Sequence, residues 1–139
     1  MARKRQPSTY ASQWVQKAEE DYRAALRLMK FRNGPTYNLV CFCAQQCAEK
    51  YIKAFLTLAG KKFPPSHQIE HMLLPLCLEV DKSFEFVREL FRRLDSYSVT
   101  FRYPGEDAAR EEATKAVGAM KRIREFLRPK LSAGMMDDR

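Results

Sequence analysis

A chain of 139 residues and 16.2 kDa fits one domain and can bury a hydrophobic core without disulfides or metals. Gly (5) and Pro (7) are too few for a collagen-like or low-complexity chain, and Ala (15) with Leu (13) against Val (6) and Ile (3) favours helix over sheet. The net charge of +8 is spread over the first half, +5 on residues 1–34 and +3 on 35–65, so it suits acidic partners (nucleotides, RNA or an acidic protein) without selecting one.

No apolar run approaches the ~20 residues that cross a bilayer. The basic stretch Met1-Ala2-Arg3-Lys4-Arg5 is not followed by the apolar segment of a secretory signal. The expectation is a cytoplasmic, all-α protein with no membrane association. One helical domain is expected over residues 8–131, between a basic N-terminal tail (1–7) and a flexible C-terminal tail (132–139).

The first helix is expected to start at Ser12, or a turn earlier at Ser8 or Thr9, all good N-cap types. Trp14, Ala18, Tyr22 or Ala25, and Met29 form its apolar stripe, and Asn33-Gly34-Pro35 ends it. The second helix runs from about Pro35 to Ala59, with Gly60 as its stop. Its polar residues Asn38, Gln45, Gln46, Glu49, Lys53 and Thr57 form one narrow stripe on an otherwise apolar surface. A surface helix needs an apolar face only about 100° wide, so this one is either the central helix or a dimer-forming helix.

Lys61-Lys62-Phe63-Pro64-Pro65 reads as a stiff connector, and Ser66 caps a third helix over about His67 to Val80 that Pro75 kinks or splits. A fourth helix is expected over about Ser83 to Tyr97. A linker from Ser98 to Gly105, rich in β-branched and aromatic residues, must pack against something. The fifth helix spans about Glu106 to Leu131, with Pro129 fraying or ending it. Together these make an up-and-down bundle of four or five helices.

Motifs for chemistry are sparse. Cys41, Cys43, Cys47 and Cys77 lack zinc-ribbon spacing and read as small core residues on apolar helices. Cys43 and Cys47 could form a Cys2His2 site only if His67 and His71 came to them, and no metal is expected. No phosphate loop, nucleophile elbow or metalloprotease motif occurs. His67 follows the cap residue Ser66 and reads either as a ring that helps cap the third helix or as an imidazole facing a pocket lined by the second. Arg102 offers a planar fork for carboxylate or phosphate between the aromatic rings of Tyr97 and Tyr103. The candidate ligand- or partner-binding set is therefore Arg102, Tyr97, Tyr103, His67, Gln46, Glu49, Lys50 and Lys53, with no catalytic residue assigned.

Five stretches in order resemble the HEPN family of small helical domains. Trp14-Val15-Gln16-Lys17-Ala18-Glu19-Glu20-Asp21 resembles its opening helix. Ala44 to Phe55, with the paired glutamines, Glu49-Lys50 and Lys53-Ala54, resembles its signature helix. Pro64-Pro65-Ser66-His67, Leu94-Asp95-Ser96-Tyr97 and Arg102-Tyr103-Pro104-Gly105 match its later connectors. The resemblance implies a homodimer and a role beside a minimal nucleotidyltransferase, separate or fused, in a two-component system of toxin–antitoxin type, with a nucleotide as ligand and no other cofactor. It equally brings in an alternative, a metal-independent ribonuclease or RNA-binding protein. Family ribonucleases use an Arg followed four to six residues later by His near the start of the last helix. Here Arg102 has no such His, and the only two histidines are His67 and His71. That departure argues against ribonuclease activity unless His67 substitutes.

Overall fold

The computed structural model describes residues 7–98, 101 and 103–137. Five α-helices form among them: α1 (Pro7–Met29), α2 (Tyr37–Leu58), α3 (Leu74–Val80), α4 (Arg88–Asp95) and α5 (Arg110–Asp137). Arg102, Val99 and Thr100 of the linker, and residues 1–6 of the basic tail, lie outside the described residues.

α1 begins at Pro7, a residue suited to the first helical turn. Its fully buried residues Ala11, Ala18 and Ala25 recur every seven positions and let the backbone of α2 approach closely. Trp14 and Tyr22 flank that seam and are half-buried. The helix ends at Met29, before the Asn33-Gly34-Pro35 signal, because the amides of Lys30 and Phe31 tighten onto the carbonyls of Arg27 and Leu28. At the end of α2 the Lys61 amide donates to the Leu56 carbonyl and the Gly60 amide to Thr57, with Gly60 at φ +72°. Only a residue without Cβ takes that left-handed conformation cheaply, and this arrangement satisfies the last carbonyls of the helix.

α2 is the central helix. It packs against α1, α5, α3 and α4, and 14 of its 22 residues are buried. Its wide apolar surface is thus consumed inside one chain. α1 runs antiparallel to both: Glu19 meets Tyr51 on α2 and Arg128 on α5, while Ser12 meets Met135. α2 and α5 are parallel, with Asn38 beside Ala108 at one end and Leu58 beside Gly134 at the other.

The remaining position of the bundle is filled by broken helix. A π-helical turn, Ile69–Leu73, leads directly into α3, where Pro75 sits in the first turn. The Leu74 amide donates back to the Ile69 carbonyl, five residues earlier, and the missing N–H of Pro75 falls where a helix start has no bond to lose. A 3-10 turn, Lys82–Val87, replaces the first half of the expected fourth helix. Asp81 caps it, accepting from the Ser83 amide at 2.9 Å, and three residues per turn bring both Phe84 and Val87 inward. The chain then returns along α4 from Phe84, packed on Phe55, to Tyr97 beside Asn38 and Phe42.

Two expectations about the last helix need correction. Its helical geometry starts at Arg110, four residues after Glu106, and it continues through Pro129 to Asp137. Most of the segment assigned to a flexible tail, 132–137, is therefore helical. Pro129 and Glu125, the residue whose carbonyl loses its partner, are both exposed, so the lost bond falls on the solvent side of the helix. Beyond the proline, Leu131 is buried and Met135 packs on the core.

Candidate functional site

The polar stripe of α2 is sunk between its neighbours. Gln45 is fully buried, Glu49 is 3% exposed and Lys53 is 6% exposed. Positions 45, 49 and 53 lie one turn apart, which stacks amide, carboxylate and ammonium along one face. Lys53 Nζ donates to Glu49 Oε2 at 3.0 Å and lies 5.4 Å from the centre of the Trp14 ring. Glu49 Oε1 lies 2.9 Å from His67 Nδ1 and accepts from Gln45 Nε2 at 3.4 Å. The Gln45 amide also donates to the His67 carbonyl at 3.0 Å and accepts from Gln46 Nε2 at 2.7 Å. Both Glu49 oxygens are thus engaged, and a buried polar group of this kind is tolerated only because it is satisfied.

His67 reaches this network through the stiff connector. The Ser66 amide donates to the Pro64 carbonyl, and the Ser66 hydroxyl accepts from the Gln68 amide at 3.0 Å. Both carboxylate oxygens of Asp95 then accept, at 2.8 Å each, from the amides of Ile69 and Glu70. Burial raises the Asp95 carboxyl above its ordinary value, against those two backbone bonds. The result is a clamped imidazole, anchored through Nδ1 but with 69% of its side chain in solvent.

The other expected members separate. Lys50 turns to α1 and pairs with Asp21 at 2.6 Å. Tyr97 is 2% exposed; its hydroxyl donates to Glu112, and burial before that bond pushes its phenol upward. Its ring stacks on Phe101 at 5.7 Å, and the two line an open groove of about 370 Å³ with Asn38, Leu39 and Phe42. Tyr103 is exposed, and Arg102 lies outside the described residues. The structure therefore joins His67, Gln46, Glu49 and Lys53, and places Tyr97 one to two turns further up the same face of α2.

Several positions that hold this arrangement together are not in the expected set. Gln45 and Asp95 are two; Asn38 is a third, accepting from the Ala108 amide at 2.6 Å and donating to Asp107 at 2.9 Å, which fixes the approach to α5. Each belongs to a segment with a readable pattern, but the partner lies 22 or more residues away. The four cysteines are buried and free. Burial pushes the thiols of Cys41 and Cys77 up to about 12 and Cys43 to about 11, and raises Cys47 also. Among the described residues no three His, Cys, Asp or Glu side chains gather as a metal site.

A four-position up-and-down bundle, its third position a broken segment clamped on the polar stripe of an apolar central helix, defines a class of small all-helical domain. This chain belongs to the HEPN domain family, whose model matches residues 11–130. Two solved structures share the fold. TT1696 from Thermus thermophilus is 27% identical, with a TM-score of 0.69 over 86% of this chain and 97% of its own. The archaeal HEPN homologue ST0689 is 22% identical, with a TM-score of 0.68 over 87% and 97%. Among curated proteins, none matches the chain.

Proposed function

We propose that this HEPN domain is a binding module, the partner subunit of a minimal nucleotidyltransferase in a two-component system of toxin–antitoxin type, with a nucleotide as ligand. It works without the family's ribonuclease chemistry. The observation that carries the reading is the position of His67. Its partner Glu49 lies eleven residues along α2 from Asn38, the residue that holds the approach to α5. At 1.5 Å per residue that is about 16 Å. Family ribonucleases place their histidine near the start of the last helix; here that stretch carries Glu106, Asp107, Glu111 and Glu112. Acidic side chains there disfavour a phosphodiester, and the imidazole that suits the proton transfers is missing from that stretch.

Homodimerisation belongs to the same reading. With most of α2 enclosed, the surface that suits it is the upper end of the bundle, where Leu39 is exposed beside Phe42 and Phe101 and Tyr103 is exposed two residues beyond Phe101.

Affinity capture of the protein from its own cell extract tests the partner: a nucleotidyltransferase retained in stoichiometric amount is expected. Arg102→Ala and His67→Ala should weaken that retention more than they lower thermal stability; equal loss of both assigns these residues to structure. Chelator-treated protein incubated with labelled RNA should give cleavage barely above background. Robust turnover abolished by both Arg102→Ala and His67→Ala would establish the ribonuclease instead.

A further inference from the structure

The antiparallel seam between α1 and α5 changes character along its length. In the middle it is closed by Glu19, which accepts from Arg124 Nε and Arg128 Nη1, both at 2.9 Å. Towards the end of α1 and the start of α5 it opens into a groove of about 580 Å³. Leu26 and Met29, both half-buried, and the buried Val117 form its floor. Lys30, Arg32, Arg110 and Lys121, all exposed, form its rim. Among the described residues no acid lines the groove and none of these four cations has an ion pair, whereas Lys115, Arg124, Arg128 and Lys130 of α5 all do.

The spacing of these residues accounts for the shape. Leu26, Met29 and Lys30 are three and four residues apart on α1, and Arg110, Val117 and Lys121 are seven and four apart on α5. Each helix therefore turns one face to the groove, and each face carries an apolar position at depth and a cation at the edge. Positive charge stands on both walls of an apolar strip.

We propose that this groove docks an acidic amphipathic helix of a partner protein, with apolar residues on Leu26, Met29 and Val117 and carboxylates against the four cations. Two separate features of the groove ask for these two properties. Four like charges gathered without an acid repel one another, and carboxylates brought between them relieve that repulsion. The floor asks for apolar side chains, which a chain of phosphates does not supply. With cations on both walls, acids are needed on both sides of an apolar stripe. A helix offers that order, with anchors at i, i+3 or i+4, and i+7 and acids beside them. Arg110 and Lys121 are eleven residues apart, about 16 Å, the length of roughly three helical turns. A second copy of this chain fits less well, because carboxylates along its helices are largely engaged: Glu19 with Arg124 and Arg128, Asp21 with Lys50, Glu89 with Arg92 and Glu111 with Lys115. The groove shares no lining residue with the His67 network, so this inference stands apart from the nucleotidyltransferase reading.

The test is fluorescence anisotropy of the intact protein with a labelled helical peptide of about 14 residues, leucines at i, i+4, i+7 and i+11 and glutamates beside them. At about 50 mM salt, where screening is weak, it should bind saturably. A peptide of the same composition with its periodicity scrambled keeps the charge but loses the apolar stripe, and should bind at least about tenfold more weakly. Lys121→Glu should weaken binding of the periodic peptide at least about tenfold with an unchanged Tm, since Lys121 is exposed. Lys62→Glu makes the same charge change beside Phe63, at the Trp14 end of α1, and should alter binding by less than about twofold. No saturable binding, equal binding of the scrambled peptide, or Lys62→Glu as damaging as Lys121→Glu overturns the proposal. So does oligouridylate binding more tightly than the peptide, which would make the groove a nucleic-acid site. A parent dimer that Lys121→Glu converts to monomer also overturns it, by giving the groove to a second copy.

Discussion

Removing the Glu49 carboxylate is the sharpest test of the polar stripe. In Glu49→Leu the Lys53 ammonium, with 8% of its side chain exposed, loses the only carboxylate bonded to it among the described residues. Breaking a buried pair from one side costs about 3–5 kcal/mol, because the remaining charge is left without compensation. The contact between Lys53 and Trp14 survives, at 5.4 Å, and argues for the lower end, about 3 kcal/mol. Against a total stability on the order of 5–15 kcal/mol that is a large fraction, and it should lower Tm by about 10 °C. The double variant Glu49→Leu with Lys53→Met removes both charges together. Replacing a buried pair by apolar residues is often neutral or stabilising, so its stability should return to within about 1 kcal/mol of the parent. Gln45 keeps the His67 carbonyl as acceptor and the exposed His67 ring keeps water, so neither is orphaned. Urea titrations followed by far-UV circular dichroism give the free energies, and retention of the partner gives the functional reading. If the single variant costs under about 1 kcal/mol, or the double costs the sum of the two singles, the buried pair is not coupled as its geometry requires. A double variant that folds normally but no longer holds the partner separates the stripe's binding role from its structural one.

Acid should act through Asp81. The hydrogen bond from Lys130, then those from the Ser83 hydroxyl and amide, pull its carboxyl down to about 2 from an ordinary 3.8. A depressed folded value means the ion favours the folded state above the unfolded value, and that contribution is lost as pH falls from about 4 towards 2. Lys130→Met should flatten this part of a stability–pH profile, and an unchanged profile would show that Asp81 does not carry it. The four thiols should resist alkylation near neutral pH, since burial holds them as thiols; intact mass should show no adduct in buffer and four in urea, and rapid native labelling would contradict their burial. Light scattering should give a mass near twice 16.2 kDa, and Leu39→Asp should halve it; a monomer from the parent chain removes the dimer from the proposed function.

The helices were legible where the pattern is local. Apolar residues at spacings of three and four, with N-cap residues and glycines at the chain reversals, fixed the existence and order of α1, α2 and α5, and the bounds of α2 to within two residues. Local pattern failed where a distant contact decided the outcome. The fourth segment has helical spacing throughout, yet Asp81, bonded to Ser83 and to Lys130 on α5, makes its first half a 3-10 turn. Pro129 is a strong local stop, but nothing local says that it lies on the exposed side of α5 or that Met135 has a core to join.

The candidate site divides along the same line. That Gln45, Glu49 and Lys53 share a face follows from their spacing alone, as does the inference that so polar a stripe on so apolar a helix has a purpose. Spacing cannot say that the stripe is buried. It becomes so because the connector before α3 is pinned from outside: Asp95, at the end of α4, holds the amides of Ile69 and Glu70, and so His67 lies over Glu49. Net charge misleads for a related reason. Arg124, Arg128 and Lys130 of α5 answer acids elsewhere in the chain, and the total of +8 does not distinguish these from Lys30, Arg32, Arg110 and Lys121, which have no ion pair among the described residues. Only the pairing pattern separates a solvated basic surface from a place where positive charge has been left for something else to neutralise.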